Sequence, residues 1–277
     1  MNSEKDIINL LKRKARDMRL NIIRMITESG SGHPGGSLSA ADIVAVLYFH
    51  EMRIDPERPD WPDRDRFILS KGHACPVWYS ALALRGFFPV ETLSTLRKLG
   101  SQLQGHPDMN KTPGVDMTTG SLGNGLSAGI GMALAGKLDK KDYRVFVMLG
   151  CGELDEGIVW EAAMCASKYK LDNLVAIVDY NRLQLDGNVD EVMPLEPLAA
   201  KWAAFNWHVQ EIDGHNFEEI LNSFVLARQT KNKPSIIIAH TIKGKGVSFM
   251  ENEVDWHGKA PTKNECERAF KEIGEQG

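Results

Sequence analysis

The sequence predicts an α/β fold: a doubly wound, mostly parallel sheet with helices on both faces. Three observations carry this expectation. Five short runs are continuously apolar, each ends in a polar or glycine-rich turn, and helical stretches fall between them. Strands of that kind are buried on both faces, as parallel strands covered by helices are. The 277 residues are 43% hydrophobic and 25% charged, a composition that can bury a large core and is too apolar for disorder.

The elements follow in order. Ile7, Leu10, Leu11, Ala15, Met18, Ile22 and Met25 recur at steps of three and four, which predicts an amphipathic helix over residues 5–28 that stops at Gly30. A glycine-rich loop over 29–36 leads to Ser39, placed to cap a second helix carrying Ile43, Val44, Val46 and Leu47. The apolar runs at 66–69, 144–149, 173–179, 208–212 and 235–240 read as buried strands, and helices fit at 73–85, 125–138, 156–169 and 216–230. Two long irregular stretches remain, 98–121 and 243–261, and loops of that length in a compact domain are more often functional than accidental.

Composition also excludes functions. A net charge of -4 gives no footprint for nucleic acid or an anionic membrane. Cys75, Cys151, Cys165 and Cys266 form no CxxC pair, so neither a zinc knuckle nor a disulfide framework is expected. The first twenty residues alternate charge with Ile and Leu and lack an apolar signal core, and no stretch is long enough to span a bilayer, so a cytoplasmic protein is expected. No repeat or Pro/Gly/Ser-rich linker divides the chain, which reads as one domain over 1–277, with 243–277 as a loop and C-terminal arm.

The strongest local signal is the strand ending Val-Met-Leu-Gly150-Cys151-Gly152 and the helix that opens near Glu156. Glycines at such a turn let backbone N–H groups approach a phosphate beside a helix N-terminus, although a tight turn without a ligand has the same pattern. The next strand ends Asp-Tyr-Asn181-Arg-Leu183. Carboxyl ends of neighbouring parallel strands share one crevice, which puts Asn181 beside the glycine turn. Its amide oxygen and a nearby carbonyl are hard donors suited to Mg2+ or Ca2+ bridging a diphosphate; a capping Asn is the alternative. A second cluster, Thr119-Gly120-Ser121-Leu122-Gly123-Asn-Gly125, opens a helix of small residues. No strand immediately precedes it, so it is not a dinucleotide fingerprint, and close packing against a flat ligand or another helix accounts for its composition. His33, His73, His106 and His257 all neighbour glycine in irregular segments, where an imidazole can reach phosphate or sugar oxygens and transfer protons. His50, His208 and His240 read as structural.

The segments SGHPGGSLSAADIVAVLYF, DRFILSKGHACP, GHPDMNKTPGVDMTTGSLGNGLSAGIGMALA, the glycine turn with the Asn181 strand, and KGKGVSFMENEVDWHG together resemble transketolase. They cover nearly the whole chain in order, and match only that family's N-terminal, diphosphate-binding domain. The chain is therefore similar to the first subunit of a split transketolase. The resemblance implies a cofactor, thiamine diphosphate, shared between two chains, with its diphosphate and a Mg2+ (or Ca2+) ion here and its aminopyrimidine on a C-terminal, pyrimidine-binding partner subunit. It implies cofactor contacts at Gly120, Ser121, Leu122, Gly123, Gly152, Glu153 and Glu156, apolar contact to the rings from Leu122 and Leu185, and phosphate neutralisation by Lys71 and Lys243. Asn181 and the Leu183 carbonyl are implied as metal ligands. His33, His73, His106 and His257 are implied as active-site histidines, with His33 and His106 toward the sugar. The implied reaction moves a two-carbon ketol unit from a ketose phosphate to an aldose phosphate in the pentose phosphate pathway, in an α2β2 assembly inactive without the partner chain.

One residue departs from the pattern. Where the family carries an Asp that ligates the metal, this chain has Cys151, a soft thiol whose anion does not suit Mg2+ or Ca2+. The alternatives are a thiamine-dependent relative such as deoxyxylulose phosphate synthase or a dehydrogenase α subunit, and a non-catalytic binding subunit. The KGKGVSFMENEVDWHG loop and the SGHPGG opening favour transketolase over the first two, whereas Cys151 is the feature that supports the third.

Overall fold

The computed structural model describes residues 4–275; the first three and last two residues of the expected 1–277 domain lie outside the described residues. In chain order the elements are α1 (Glu4–Ser29), α2 (Pro34–Ser39), α3 (Ala41–Val46) running into a π turn, β1 (Arg66–Leu69), α4 (Cys75–Arg85), α5 (Asn124–Leu138), β2 (Val145–Gly150), α6 (Gly157–Lys168) and β3 (Leu174–Tyr180). There follow α7 (Val189–Val192), α8 (Leu198–Ala204), β4 (His208–Asp213), α9 (Phe217–Gln229), β5 (Ser235–His240) and α10 (Lys263–Gly274). All five expected strands form one parallel sheet in the order β1-β2-β3-β5-β4.

Strand pleating sorts the core into two layers. Phe67, Leu69, Phe146, Met148, Val175 and Ile177 pack toward α1, α3, α4 and α9. Ile68, Val145, Val147, Leu149, Ala176 and Val178 pack toward α5, α6 and α8. The chain advances from β1 through β3, skips one place to β4 and returns to β5, and α9 on the return crosses the opposite face from α6 and α8. Crossovers of one hand require that change of face. The reversal opens a crevice at the carboxyl ends of the central strands, the usual ligand position in open α/β sheets.

Several expectations are corrected. Leu10 is 37% exposed, because the buried stripe of α1 runs through Leu11, Ala15, Met18, Ile22, Ile23, Met25 and Ile26. Ser39 caps no helix; it is the last residue of α2, which Pro34 starts at a position where its missing N–H costs nothing. Its hydroxyl turns inward to Asp179. Two glycines of α5 let the helix approach the sheet closely, and the helix also packs on α6, as expected of close packing against another helix. A Cβ on Gly129 would stand 2.5 Å from Val147, and one on Gly125 would strike Ser70. α10 was not expected; it carries a capping box from Thr262 and Glu265 and buries Ala269 and Ile273, while Phe270 lies under Arg24 of α1.

A buried triad, an ion pair and an imidazole, ties α1 and α3 to the segment after β5. Arg19 donates to both oxygens of Asp42 at 2.9 and 2.7 Å, and His215 Nδ1 lies 2.7 Å from the same carboxylate. His215 Nε2 accepts from the Ile242 N–H, and Arg19 Nε donates to the Lys245 carbonyl. Burial raises the Asp42 pKa, but Arg19 and His215 outweigh it and hold the carboxyl at about 2. A depressed carboxyl contributes stability that is complete above its unfolded pKa, about 3.9, and lost as pH falls toward the folded value. Asp42→Asn leaves Arg19 buried without its counter-ion, so urea unfolding at neutral pH is expected to show a loss of about 3–5 kcal/mol, shrinking in acid. A variant as stable as the parent at neutral pH counts against the triad.

Candidate functional site

The crevice is a cleft of about 320 Å3 lined by the carboxyl ends of β1, β2, β3 and β5 and by the start of α2. The glycine turn lies where the spacing predicts, with Gly150 in register with Asp179 and the Cys151 Sγ 3.7 Å from Asn181 Oδ1. Its floor depends on two carboxylates. Asp179, wholly buried, accepts from Lys71 Nζ at 2.5 Å, Ser39 Oγ at 2.6 Å, Asn181 Nδ2 at 3.0 Å, and the Thr241 hydroxyl. Burial pushes its pKa up, but Lys71 and the hydroxyls bring it below the ordinary carboxylate range. Lys71 also donates to the Gly36 carbonyl at 2.8 Å, so this one ammonium joins β1, β3 and α2.

Glu153, 2% exposed, accepts from the Gly123 N–H at 2.7 Å, the Gly150 N–H at 3.0 Å and the Ser70 hydroxyl. Its carboxylate therefore fastens the two glycine turns to β1. Burial holds its pKa above the usual range despite those three donors. Gly72 brings the loops closer still, since a Cβ there would lie 3.0 Å from the Gly120 nitrogen. Gly152 does the same for Gln184, whose side chain would lie 2.9 Å from an added Cβ.

Lys243 is the unusual group of the cleft. It is 1% exposed, and its ammonium donates to the Leu183 carbonyl at 3.0 Å, the Gln184 carbonyl at 3.2 Å and His257 Nδ1 at 2.8 Å. All three acceptors are neutral, and burial draws its pKa down to about 8. A buried cation held only by neutral acceptors is costly, and an anion in the cleft lowers that cost.

Three imidazoles face one another above this floor: His33 to His73 at 5.2 Å, His33 to His257 at 5.7 Å and His73 to His257 at 5.3 Å between ring centres. Burial, reinforced by neighbouring cations, lowers the pKa of His33 to about 4, of His73 to about 2 and of His257 to about 3. The Lys243 bond fixes His257 Nδ1 as an acceptor, which leaves Nε2 carrying the proton.

The structure thus brings His33, Lys71, His73, Gly120, Leu122, Cys151, Gly152, Glu153, Asn181, Leu183, Leu185, Lys243 and His257 into one cleft. It leaves others outside the lining. Glu156 is exposed at the start of α6, and Ser121 is exposed beyond the turn. Gly123 is buried beneath the turn, where its N–H meets Glu153. His106 is exposed at the rim with its ring over Gly120, and burial and Arg97 lower its pKa. Sequence reasoning missed Asp179, Ser70, Thr241 and Gln184, and also Arg97, which donates to the Ser31 hydroxyl at 2.7 Å and reaches His33 Nδ1 at 3.4 Å. An Asp inside an otherwise apolar strand was the available signal for the first; Arg97 has none in its local sequence.

Cys151, Asn181 and Leu183 stand together, and the donor set they offer is a thiol, an amide oxygen and a backbone carbonyl. Burial raises the Cys151 pKa, keeping it a thiol. Asn181 Oδ1 accepts from that thiol and from the Leu183 N–H at 3.2 Å, and the Leu183 carbonyl holds Lys243. No group of three His, Cys, Asp or Glu able to hold a metal occurs among the described residues.

A glycine-lined cleft with buried ammoniums at the carboxyl end of a doubly wound sheet defines an α/β protein built to bind a phosphorylated ligand. A family model described as transketolase, thiamine diphosphate binding domain, matches residues 11–276. The chain belongs to that family. It is 50% identical to 6-deoxy-6-sulfo-D-fructose transketolase subunit SqwG of Clostridium sp. (strain MSTE9), covering 93% of this chain and 95% of that one. It is 44% identical to one of the subunits of apulose-4-phosphate transketolase from Phocaeicola vulgatus, covering 97% and 95%. Among solved structures, transketolase from Campylobacter jejuni superposes with a TM-score of 0.92 at 34% identity, covering 99% of this chain and 43% of that one. The chain thus spans nearly all of the subunit-type relatives and less than half of the single-chain enzyme. Among the described residues no helix is long and apolar enough to cross a membrane.

The imidazole cluster carries a prediction. Between the ordinary His pKa near 6.5 and these lowered values the unfolded chain binds more protons, so stability falls as pH falls through that window. By NMR, the His33, His73 and His257 rings are expected to stay neutral from about pH 8 to pH 5. Midpoints near 6.5 in the folded protein would show that burial does not govern them.

Proposed function

We propose that this chain is the diphosphate-binding subunit of a split transketolase that moves a two-carbon ketol unit from a ketose phosphate to an aldose phosphate. The observation that carries the reading is Lys243, an ammonium buried in a glycine-lined cleft with only neutral partners. The full-length coverage of relatives named as transketolase subunits supports it. In this reading the whole chain is one diphosphate-binding domain, with 243–277 as its active-site loop and C-terminal arm. A pyrimidine-binding partner subunit completes the site, two copies of each chain assemble, and the enzyme works in the cytoplasm.

Thiamine diphosphate, when bound, supplies an acyl-anion equivalent that no side chain offers. Gly120, Leu122 and Gly152 give it close approach, and Lys71 and Lys243 oppose the charge of its diphosphate. Leu185, 64% exposed at the lip, offers apolar surface to its rings. Glu153 holds the two glycine turns rather than touching the ligand, and Ser121, Gly123 and Glu156 act through the shape of those turns. His33 and His106 sit on the open side and take sugar hydroxyls. Because the buried imidazoles are uncharged at neutral pH, they can accept a hydroxyl proton and hand it back, with Arg97 orienting His33. His73 and His257 lie deeper and border the cofactor.

The test is two-carbon transfer from a pentulose phosphate to an aldose phosphate by the chain with its cofactor and partner subunit. Activity is expected of the pair and not of this chain alone, and robust turnover by the isolated polypeptide would refute the split-site reading. His33→Ala and His106→Ala are expected to lower turnover about a hundredfold or more, with a smaller effect on cofactor affinity. Weakened cofactor affinity at an unchanged rate would move both residues to the cofactor side.

A further inference from the structure

The diphosphate of thiamine diphosphate is a multiply charged anion, and a protein meets such charge either with a divalent cation on oxygen ligands or with its own cationic side chains. In this cleft the two buried carboxylates beside the Cys151 turn are committed elsewhere, the nearby Asp155 is bonded to a side chain, and Glu156 is exposed outside the lining. Glu153 faces Ser70, Gly123 and Gly150, Asp179 faces Lys71, Ser39, Asn181 and Thr241, and Asp155 accepts from Gln184 Nε2 at 2.9 Å. The atoms left are one buried thiol, one amide oxygen and one carbonyl, with no anionic oxygen among them. The carbonyl, that of Leu183, already carries the Lys243 ammonium at 3.0 Å. A divalent cation on the same oxygen would be repelled by that ammonium.

We infer that this chain binds thiamine diphosphate without a divalent cation, with the Lys243 ammonium on the Leu183 carbonyl taking the cation's place opposite the diphosphate. The inference rests on the cofactor reading above. Lys243 is suited to the task because its stem is confined: Gly35 lies against it so closely that a Cβ there would stand 3.0 Å from its Cγ. Its backbone is held on either side, with the Ile242 N–H on His215 and the Gly244 N–H on the Gly35 carbonyl at 3.0 Å. The ammonium is thus presented at a fixed point, as a bound ion would be.

Calorimetric titration of the full chain with thiamine diphosphate, alone and with its partner subunit, in EDTA and then in excess MgCl2, decides the matter. Binding in both buffers with dissociation constants within about threefold of each other is the expected result. Lys243→Met is expected to weaken binding at least about tenfold in either buffer, and Cys151→Asp to bind at least about tenfold tighter with Mg2+ than in EDTA. Binding that appears only with Mg2+ overturns this inference and leaves the cofactor reading standing. Undiminished affinity of Lys243→Met in EDTA overturns the role given to the ammonium. No binding by the parent chain in either buffer, with or without the partner, overturns the cofactor reading and this inference together.

Discussion

The geometry of the cleft depends on the Lys71–Asp179 ion pair. Both partners are buried, Lys71 on the segment leaving β1 and Asp179 near the end of β3. A buried pair is expensive to desolvate and is tolerated only when the remaining lone pairs and protons are satisfied. Here they are, by Ser39 from α2, Asn181 two residues along, Thr241 after β5 and the Gly36 carbonyl. Three segments besides its own strand thus converge on one carboxylate. The convergence fixes the position of α2 and therefore of His33 at its start, and the Thr241 bond fixes the chain two residues before Lys243. Removing either member of the pair leaves an uncompensated charge and releases that geometry.

Electrostatics and packing reinforce each other above this floor. Two ammoniums beneath His33, His73 and His257 disfavour imidazolium, and the walls that exclude water disfavour it further. The cluster is consequently a set of neutral donors and acceptors whose orientations are set by the partners of their ring nitrogens. The Arg19–Asp42–His215 triad contributes at a distance: its two bonds to the 242–245 backbone connect the packing of α1 and α3 to the placement of Lys243.

Strands and the main helices were legible because continuous apolar runs and three-four spacing have one physical reading, burial on two faces or one. The glycine turn and Asn181 were legible because parallel strands must end together. What escaped depended on contacts distant in sequence. Ser39 looks like a helix cap locally, yet its hydroxyl bonds a carboxylate 140 residues away. Glu153 lines the cleft, and its bonds to Ser70 and Gly123, which lie far off in sequence, have no local signal. The glycines of α5 signal close packing, but that Gly129 meets Val147 and Gly125 meets Ser70 depends on strands distant in sequence. α10 was legible in principle, from Thr262, Glu265 and the spacing of Cys266, Ala269, Phe270 and Ile273.

The cleft is asymmetric in a way that follows from the sheet. Its floor is made by strand ends, where backbone groups are paired and side chains alternate into packed layers, so polar atoms there must find partners within the chain. Its lip is made by the segments that follow the strands, and these carry the exposed Leu185, the half-buried Leu122 and the exposed His106. An anionic group suits the floor, where Lys243 lacks a counter-ion, and a flat apolar group suits the lip. A ligand with a charged tail and an aromatic body matches that order from inside to outside, whereas one with the charge at the opposite end would place it against Leu122 and Leu185. In the proposed reading the diphosphate therefore faces Lys243 at the floor and the rings face Leu122 and Leu185 at the lip.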